Sequence, residues 1–451
     1  MSAGDMFRSR LDMEVRLRTV TCVSHKAHSP EEFTRTDCCN EVWSPVKPTA
    51  LIATSATWFP TVRLAMALAN AGFQLDAFCP RRHPLLKTRA IQRYITYRGL
   101  IPLKSLEAAI DNTKPDLIIA GDDLITRHLQ DLYLRKRKLN QAGEPICALI
   151  ERSLGAPESF PVAYARAAFM ELARQEGIRV PRTEVVKSID ELNRCMERLR
   201  FPLVLKSDGS SSGEGVRIVF TLEEGIEAFH ALRSPPILAR ALKRAIFDHD
   251  TTLVRPCLFR VRGAVNAQEH IEGREATSTV ACWRGEVLAS LHFEVIKKRD
   301  STGPSTVLRL IDNAEMATAV EKIVHRMKLS GMHGFDFMLE PKEGNAYLIE
   351  INPRATQVGH LTLGPGRDLP AGLFAAVTGE AVREAPKVTD KDTIALFPQE
   401  WLRDPTSAFL QSGFHDVPWE EPDFIRECIR RRRSWAEWYS RQKALGIFAK
   451  F

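Results

Sequence analysis

Asp336, Glu350, Asn352 and Arg354 fall within one stretch of the chain, GMHGFDFMLEPKEGNAYLIEINPRATQVGH at residues 331–360. Asp336 interrupts the apolar run Gly334–Leu339, and Glu350 interrupts the run Ala346–Ile351. A Pro341–Asn345 turn between the runs makes the stretch read as a β-hairpin. A carboxylate in a buried strand costs several kcal/mol unless something positive meets it. Two carboxylates and the amide oxygen of Asn352 are hard ligands, of the kind Mg²⁺ takes alongside nucleotide phosphates. Arg354 adds a planar cation suited to a phosphoryl group or a carboxylate. The plainer alternative is an antiparallel hairpin with two salt-bridged acids.

A second set of groups lies upstream. The apolar strand Phe201–Lys206 ends on a lysine, and Ser207–Gly215 (SDGSSSGEG) leads into a second strand, Val216–Phe220. A lysine closing a buried strand calls for an anion. The small residues Gly209, Ser210, Ser211, Ser212, Gly213 and Gly215 let backbone N–H groups approach phosphate oxygens. The order is not that of a P-loop, where the lysine follows the glycines and opens a helix. Further on, NAQEHIEGRE occupies residues 266–275. Extended Val265–Ile271 offers backbone polar groups to a flat apolar ligand such as adenine. Among the cations of the next segment, Arg309 between apolar neighbours is favoured over Lys297-Lys298 for meeting a transferring phosphoryl group or a substrate carboxylate.

Taken in register, FDF…YLIEINPR, the lysine-led glycine loop and the E-x-x-x-G-x-E pattern of Glu269, Gly273 and Glu275 resemble the ATP-grasp superfamily. That superfamily includes carbamoyl-phosphate synthetases, biotin carboxylases and amino-acid ligases. The resemblance implies ATP and two Mg²⁺ ions (Mn²⁺ being an admissible substitute) held by Asp336, Glu350 and Asn352. It implies Arg354 near the γ-phosphate, Lys206 on the α- and β-phosphates under a glycine-rich lid, and Arg166 reaching the phosphates from a helix start. It places Glu275 on the ribose and the backbone of Glu269, His270 and Ile271 against the adenine. It covers about Thr49 to Pro386, with its strongest motifs between Phe201 and His360.

The elements that must position these groups suggest an α/β chain with an α+β core. Residues 1–47 read as a mobile extension. Residues 48–155 alternate strand and helix: Thr49–Thr54, Thr61–Ala71 capped by Gly72, Phe73–Cys79, Leu106–Asn112 and Pro115–Gly121, a small parallel α/β domain. Ligands in such sheets sit beyond the carboxyl ends of the strands. Thr54–Thr57 and Asp122-Asp123 therefore either line a crevice or serve as ordinary loop chemistry. Residues 156–388 would form the ATP-grasp domain, its lid lobe about 178–265, entered through one helix over Pro161–Gly177. Residues 389–451 read as a C-terminal helical extension with tryptophans and a basic run at Arg430–Arg433. His333 and His360, flanking the hairpin, read as packed side chains.

The 451 residues suffice for two or three domains. A net charge of +7 fits anionic substrates without requiring nucleic acid, and no RNA-binding module pattern accompanies the basic tail. The nine cysteines are scattered without C-x-x-C or zinc spacing, as for thiols in a cytoplasm. No apolar run approaches a membrane span and no signal-peptide h-region stands at the N-terminus. The expected protein is a cytoplasmic ligase that activates a small carboxylate as an acyl phosphate and joins it to an amine, compatible with a homo-oligomer. Biotin carboxylase is disfavoured because Gly359, not an acid, precedes His360, and carbamoyl-phosphate synthesis because the core occurs once. A bicarbonate-activating enzyme and a nucleotide-binding regulator without turnover stand as alternatives.

Overall fold

The structure, a computed structural model, describes residues 47–139, 143–208, 215–234, 257, 264–301 and 303–430. Residues 1–46 of the expected N-terminal extension, Gly209 to Gly213 of the glycine loop, and the tail beyond Arg430 with Trp435 and Trp438 lie outside the described residues.

The first unit is a parallel sheet of β1 (Thr49–Ala53), β2 (Gln74–Cys79), β3 (Ile91–Thr96) and β4 (Leu117–Ala120), in the order β3-β2-β1-β4. Ala50 to Ala53 are fully buried, as a parallel strand covered on both faces requires. Helix Pro60–Ala71 starts on proline and ends at Gly72, whose φ is 121°. A Cβ on Gly72 would stand 2.7 Å from the Phe374 ring, so the position needs glycine for conformation and for space. β3 has only Ile91 buried at its inner register, and as an edge strand it shows no alternation to read. The helix expected at Leu106–Asn112 runs longer, over Pro102–Thr113.

The lid lobe is an antiparallel sheet of β5 (Thr183–Val186), β6 (Leu203–Ser207), β7 (Val216–Val219) and β8 (Val265–Glu269), ordered β5-β8-β6-β7. Helices Ile189–Leu199 and Leu222–Arg233 pack on it through Leu192, Met196, Leu203, Leu205 and Phe229, which form their own small core.

The central sheet comprises β9 (Arg274–Trp283), β10 (Glu286–Lys298), β11 (Ser305–Leu310), β12 (Gly331–Leu339), β13 (Ala346–Asn352), β14 (Thr393–Leu396) and β15 (Phe414–Asp416). Its order is β13-β12-β9-β10-β11-β14-β15. Helix Ala314–Met327 covers β12 and β13 through Val320, Ile323 and Val324 against Phe335 and Phe337. A second core runs from Leu64 and Leu68 in the first unit through Phe293 and Leu308 to Phe397, Trp401 and Phe424.

Two expectations need correction. The segment 161–177 is not one helix: Ala165, at φ −94° and ψ 91°, separates Phe160–Tyr164 from Arg166–Gln175. The region after residue 388 is not a helical appendage either. β14 and β15 complete the central sheet, and Phe397, Trp401 and Phe424 belong to its core, because the run Thr393–Leu396 is buried against β11. No helix among the described residues is long and apolar enough to cross a membrane.

Candidate active site

The hairpin β12–β13 builds one wall of a cleft. From Leu339↔Ala346 to Phe337↔Leu348 the register is regular; then it shifts, so that Asp336 faces Glu350 and Gly334 faces Asn352. Ile349 is the extra residue, and this bulge brings Glu350 directly opposite Asp336. Residues opposite each other share a face, as do 334 and 336 or 350 and 352, so all three candidate ligands converge.

The side chains bear this out. Asp336 Oδ1 accepts the Thr277 hydroxyl at 2.9 Å and Oδ2 accepts Asn352 Nδ2 at 2.9 Å. Burial and the facing Glu350 raise the Asp336 carboxyl above its ordinary range. Glu350 pairs with Arg166 Nη1 at 2.8 Å. Arg166 opens the helix that follows the Ala165 break, so that break turns its guanidinium inward; Asp208 Oδ1 lies 3.9 Å from its Nε. Arg354 donates to Asn352 Oδ1 at 3.3 Å and to Asp123 Oδ2 at 3.0 Å. Asp123, in the first unit, thereby fixes the far side of the cleft.

Lys206 is the penultimate residue of β6 and is only 6% exposed. Burial pushes its ammonium down to about 8, against the pull of Glu350 and Asp336. Two residues on, Asp208 accepts Asn266 Nδ2 at 2.8 Å. On the central sheet Glu275 pairs with Lys298 at 2.6 Å. Lys206, Arg166, Glu275, Asp336, Glu350, Asn352 and Arg354 all line one cavity of about 370 Å³ between lid and central sheet, together with Trp58 and Gln357.

Other expected residues stand elsewhere. Arg309 is exposed and outside the cleft: its neighbour Leu308 faces the cavity, so alternation along β11 aims Arg309 the other way. Lys298, of the pair set aside in its favour, is the cation that reaches the cleft. Glu269 pairs with Arg182 at 3.4 Å, and neither it nor His270 nor Ile271 lines the cavity; they lie at the end of β8 and in its connection to β9. Gly215 accepts the Ser207 N–H at 2.9 Å, closing the base of the glycine loop. Asp122 is no crevice ligand: its carboxylate takes the Ser55 N–H, the Thr54 and Ser55 hydroxyls and the Ile125 N–H as a helix cap. His333 and His360 are packed, against the Ser330 carbonyl at 2.8 Å and Asp416 at 2.6 Å. Sequence reasoning missed Thr277, Lys298 and Asp208; for Asp208 the signal was its i+2 spacing from Lys206, which puts both on one face.

Among the described residues, no three His, Cys, Asp or Glu side chains gather as a self-sufficient metal site. Two acids and an amide are nonetheless the sparse donor set that suits Mg²⁺, which keeps waters and phosphate oxygens in its shell. The buried, repelled Asp336 and the desolvated Lys206 fit that group: a cation would relieve one and a phosphate the other.

In fold and in the composition of this cleft the chain is similar to proteins of the ATP-grasp superfamily. More narrowly, residues 165–362 match the family described as the carbamoyl-phosphate synthase L chain, ATP binding domain. The arginine-specific carbamoyl phosphate synthase large chain of Geobacillus stearothermophilus is 25% identical over 301 residues, covering 64% of this chain and 26% of that one. The N-terminal section of the Aquifex aeolicus large chain is 25% identical over 198 residues, covering 43% and 32%. The chain thus spans about a third or less of these relatives. Among solved structures, N5-carboxyaminoimidazole synthetase from Staphylococcus aureus complexed with ADP gives a TM-score of 0.52 at 17% identity, covering 75% of this chain and 79% of that one. The biotin carboxylase domain of 2-oxoglutarate carboxylase from Hydrogenobacter thermophilus, in complex with MgADP and bicarbonate, gives 0.52 at 16%, covering 75% and 71%.

Proposed function

We propose that the protein is an ATP- and Mg²⁺-dependent ligase that activates a substrate carboxylate as an acyl phosphate and joins it to an amine. The observation that carries this reading is the convergence of Lys206, Arg166 and Arg354 with Asp336, Glu350 and Asn352 on one cavity. Lys206 and Arg166 would hold the phosphates, and Glu275 the ribose. Asp336, Glu350 and Asn352 would hold the Mg²⁺ ions, which when bound neutralise charge on the transferring phosphoryl group. Arg354, anchored by Asp123, would hold the γ-phosphate or the attacking carboxylate in line.

The carboxylate oxygen attacks the γ-phosphorus and the bond to the ADP oxygen breaks. The amine nitrogen then adds to the acyl carbon, phosphate leaves with the electron pair of its C–O bond, and the amine proton passes to water or phosphate. Such transfer needs positioning and electrostatics rather than a side-chain nucleophile. Bicarbonate is a second candidate for the carboxyl donor, since a structural neighbour of this fold was solved with that anion. The free cysteines of the described residues, five of the six buried, support a cytoplasmic setting.

The test is ADP release with pooled amino acids, small carboxylates and bicarbonate, with hydroxylamine trapping of any acyl phosphate. Asn352→Ala should abolish turnover. ADP release persisting at the wild-type rate in that variant would refute the assignment.

A further inference from the structure

A second cavity, of about 440 Å³, opens on the opposite end of the central sheet, lined by Glu151, Arg152, Arg284, Lys328 and Ser330. Its floor is a backbone seam between the first unit and the central sheet. Gly155 bridges Leu329, the Ala156 N–H donates to the Lys328 carbonyl at 3.1 Å, and a Cβ on Gly155 would stand 2.3 Å from that carbonyl oxygen. The floor is therefore closely packed, while the rim is cationic.

Arg152, Arg284 and Lys328 are all exposed, and no carboxylate pairs with them among the described residues. The Arg152 guanidinium is aimed by a bond to the Asp116 carbonyl at 3.2 Å; the Arg284 backbone N–H donates to Ser330 Oγ at 2.8 Å, and its guanidinium lies 5.9 Å from the Trp283 ring centre. The one acid of the lining, Glu151, accepts the Tyr133 hydroxyl at 2.8 Å. Arg284 and Lys328 sit at φ 50° and φ 48°, where glycine or asparagine is the ordinary choice. A lysine past a helix end also complements the helix dipole. Arg284 lies in a β-turn between β9 and β10 and has no such reason to be there.

We propose that this rear cleft is a binding site for a small, multiply charged oxyanion, a phosphate ester or a polycarboxylate. Its volume is that of a small-molecule pocket, and guanidinium groups from two elements suit bidentate capture of either anion. The site is separate from the ATP-grasp cleft. Ser330 immediately precedes β12 and stands about 20 Å from Asp336 at six residues of strand rise. The proposal does not rest on the ligase reading.

Inorganic phosphate is the probe, titrated calorimetrically into the full chain carrying Lys206→Ala, which removes the buried cation of the main cleft. Saturable binding is expected, weakened at least about tenfold by adding Arg152→Ala and Arg284→Ala, both exposed positions whose loss leaves the fold intact by circular dichroism. Phosphate should also slow acetylation of Lys328 in the otherwise unaltered chain, read by mass spectrometry. Absence of saturable binding, or equal affinity with and without the two arginines, would overturn the site. So would a Lys328 acetylation rate indifferent to phosphate.

Discussion

Arg166 and Glu350 form an ion pair at 2.8 Å, joining the helix after the Ala165 break to strand β13 on the wall of the cleft. The cation proposed for phosphate is thus already held by an acid proposed for Mg²⁺. The pair keeps both side chains aimed at the cleft, and Arg166 supplies Glu350 with its counter-charge.

Arg166→Met is therefore expected to weaken Mg·ADP binding by at least about tenfold. It leaves Glu350 facing Asp336 without a counter-charge, so the fold should also lose about 1–3 kcal/mol. Nucleotide titration by calorimetry and thermal unfolding check the two effects. Undiminished affinity would remove Arg166 from the site.

Asp336→Asn separates stability from function. The native carboxyl is disfavoured by burial and by Glu350, so a neutral amide should leave the ligand-free chain within about 1 kcal/mol of its original stability. Mg²⁺-dependent tightening of nucleotide binding should disappear. A variant that binds Mg·ADP as well as the parent would exclude Asp336 as a ligand.

How much of this was legible depends on how local the signal is. Asp336, Glu350 and Lys206 stood out because a charge in an apolar strand is costly and needs a reason. Their convergence was less legible, since it depends on the bulge at Ile349, which no residue type announces. Arg309 and Lys298 show the same limit. Register shifts in β10 between Val295 and Lys297 and between Lys297 and Lys298 help decide which cations reach the cleft. The Ala165 break carries neither glycine nor proline at the break itself, and β14 was too short a run to distinguish from a tail.

Lys206 makes pH a probe. In the free fold its ammonium titrates at about 8, against about 10.4 in an unfolded chain. The charged form holds the anion, so ADP affinity should be greatest below pH 8 and fall as pH rises through it. Stability runs the other way. Between about 8 and about 10.4 the unfolded chain binds more protons, so stability rises with pH there, and the cost of the buried charge is present in full below 8. Lys206→Met should flatten the affinity profile and raise the melting temperature at pH 7. An unchanged profile in that variant would sink the assignment.

Acid acts on different groups. Burial pushes His292, His333 and His415 each down to about 4, so the folded chain keeps them neutral. Between about pH 6.5 and 4 the unfolded chain binds more protons, and stability should fall steadily as pH is lowered through that window. Melting temperatures at pH 7, 6 and 5 check this. A flat profile would mean that these rings are charged or hydrated in the fold.

Asp416 tests whether the last strands fold as one body with the cleft. Its carboxylate, buried on β15, pairs with Arg63 of the first unit and takes His360 Nε2 at 2.6 Å. Three distant segments meet there, and Arg63 and His360 hold the carboxyl well below the usual carboxylate range despite burial. Removing one partner of a buried charged group leaves the other uncompensated, a loss of about 3–5 kcal/mol when burial is complete. Arg63 keeps some exposure and Glu420 at 3.8 Å can take part of its charge, so Asp416→Asn should cost less, about 2–3 kcal/mol. Because β15 pairs with β14 and β14 with β11, the loss should appear as cooperative destabilisation of the whole chain. Urea unfolding followed by far-ultraviolet dichroism and by ADP binding distinguishes the cases. Coincident transitions, both shifted in the variant, are the expected result. A separate early transition that leaves ADP binding intact would show that the strands after residue 388 are an independent appendage after all.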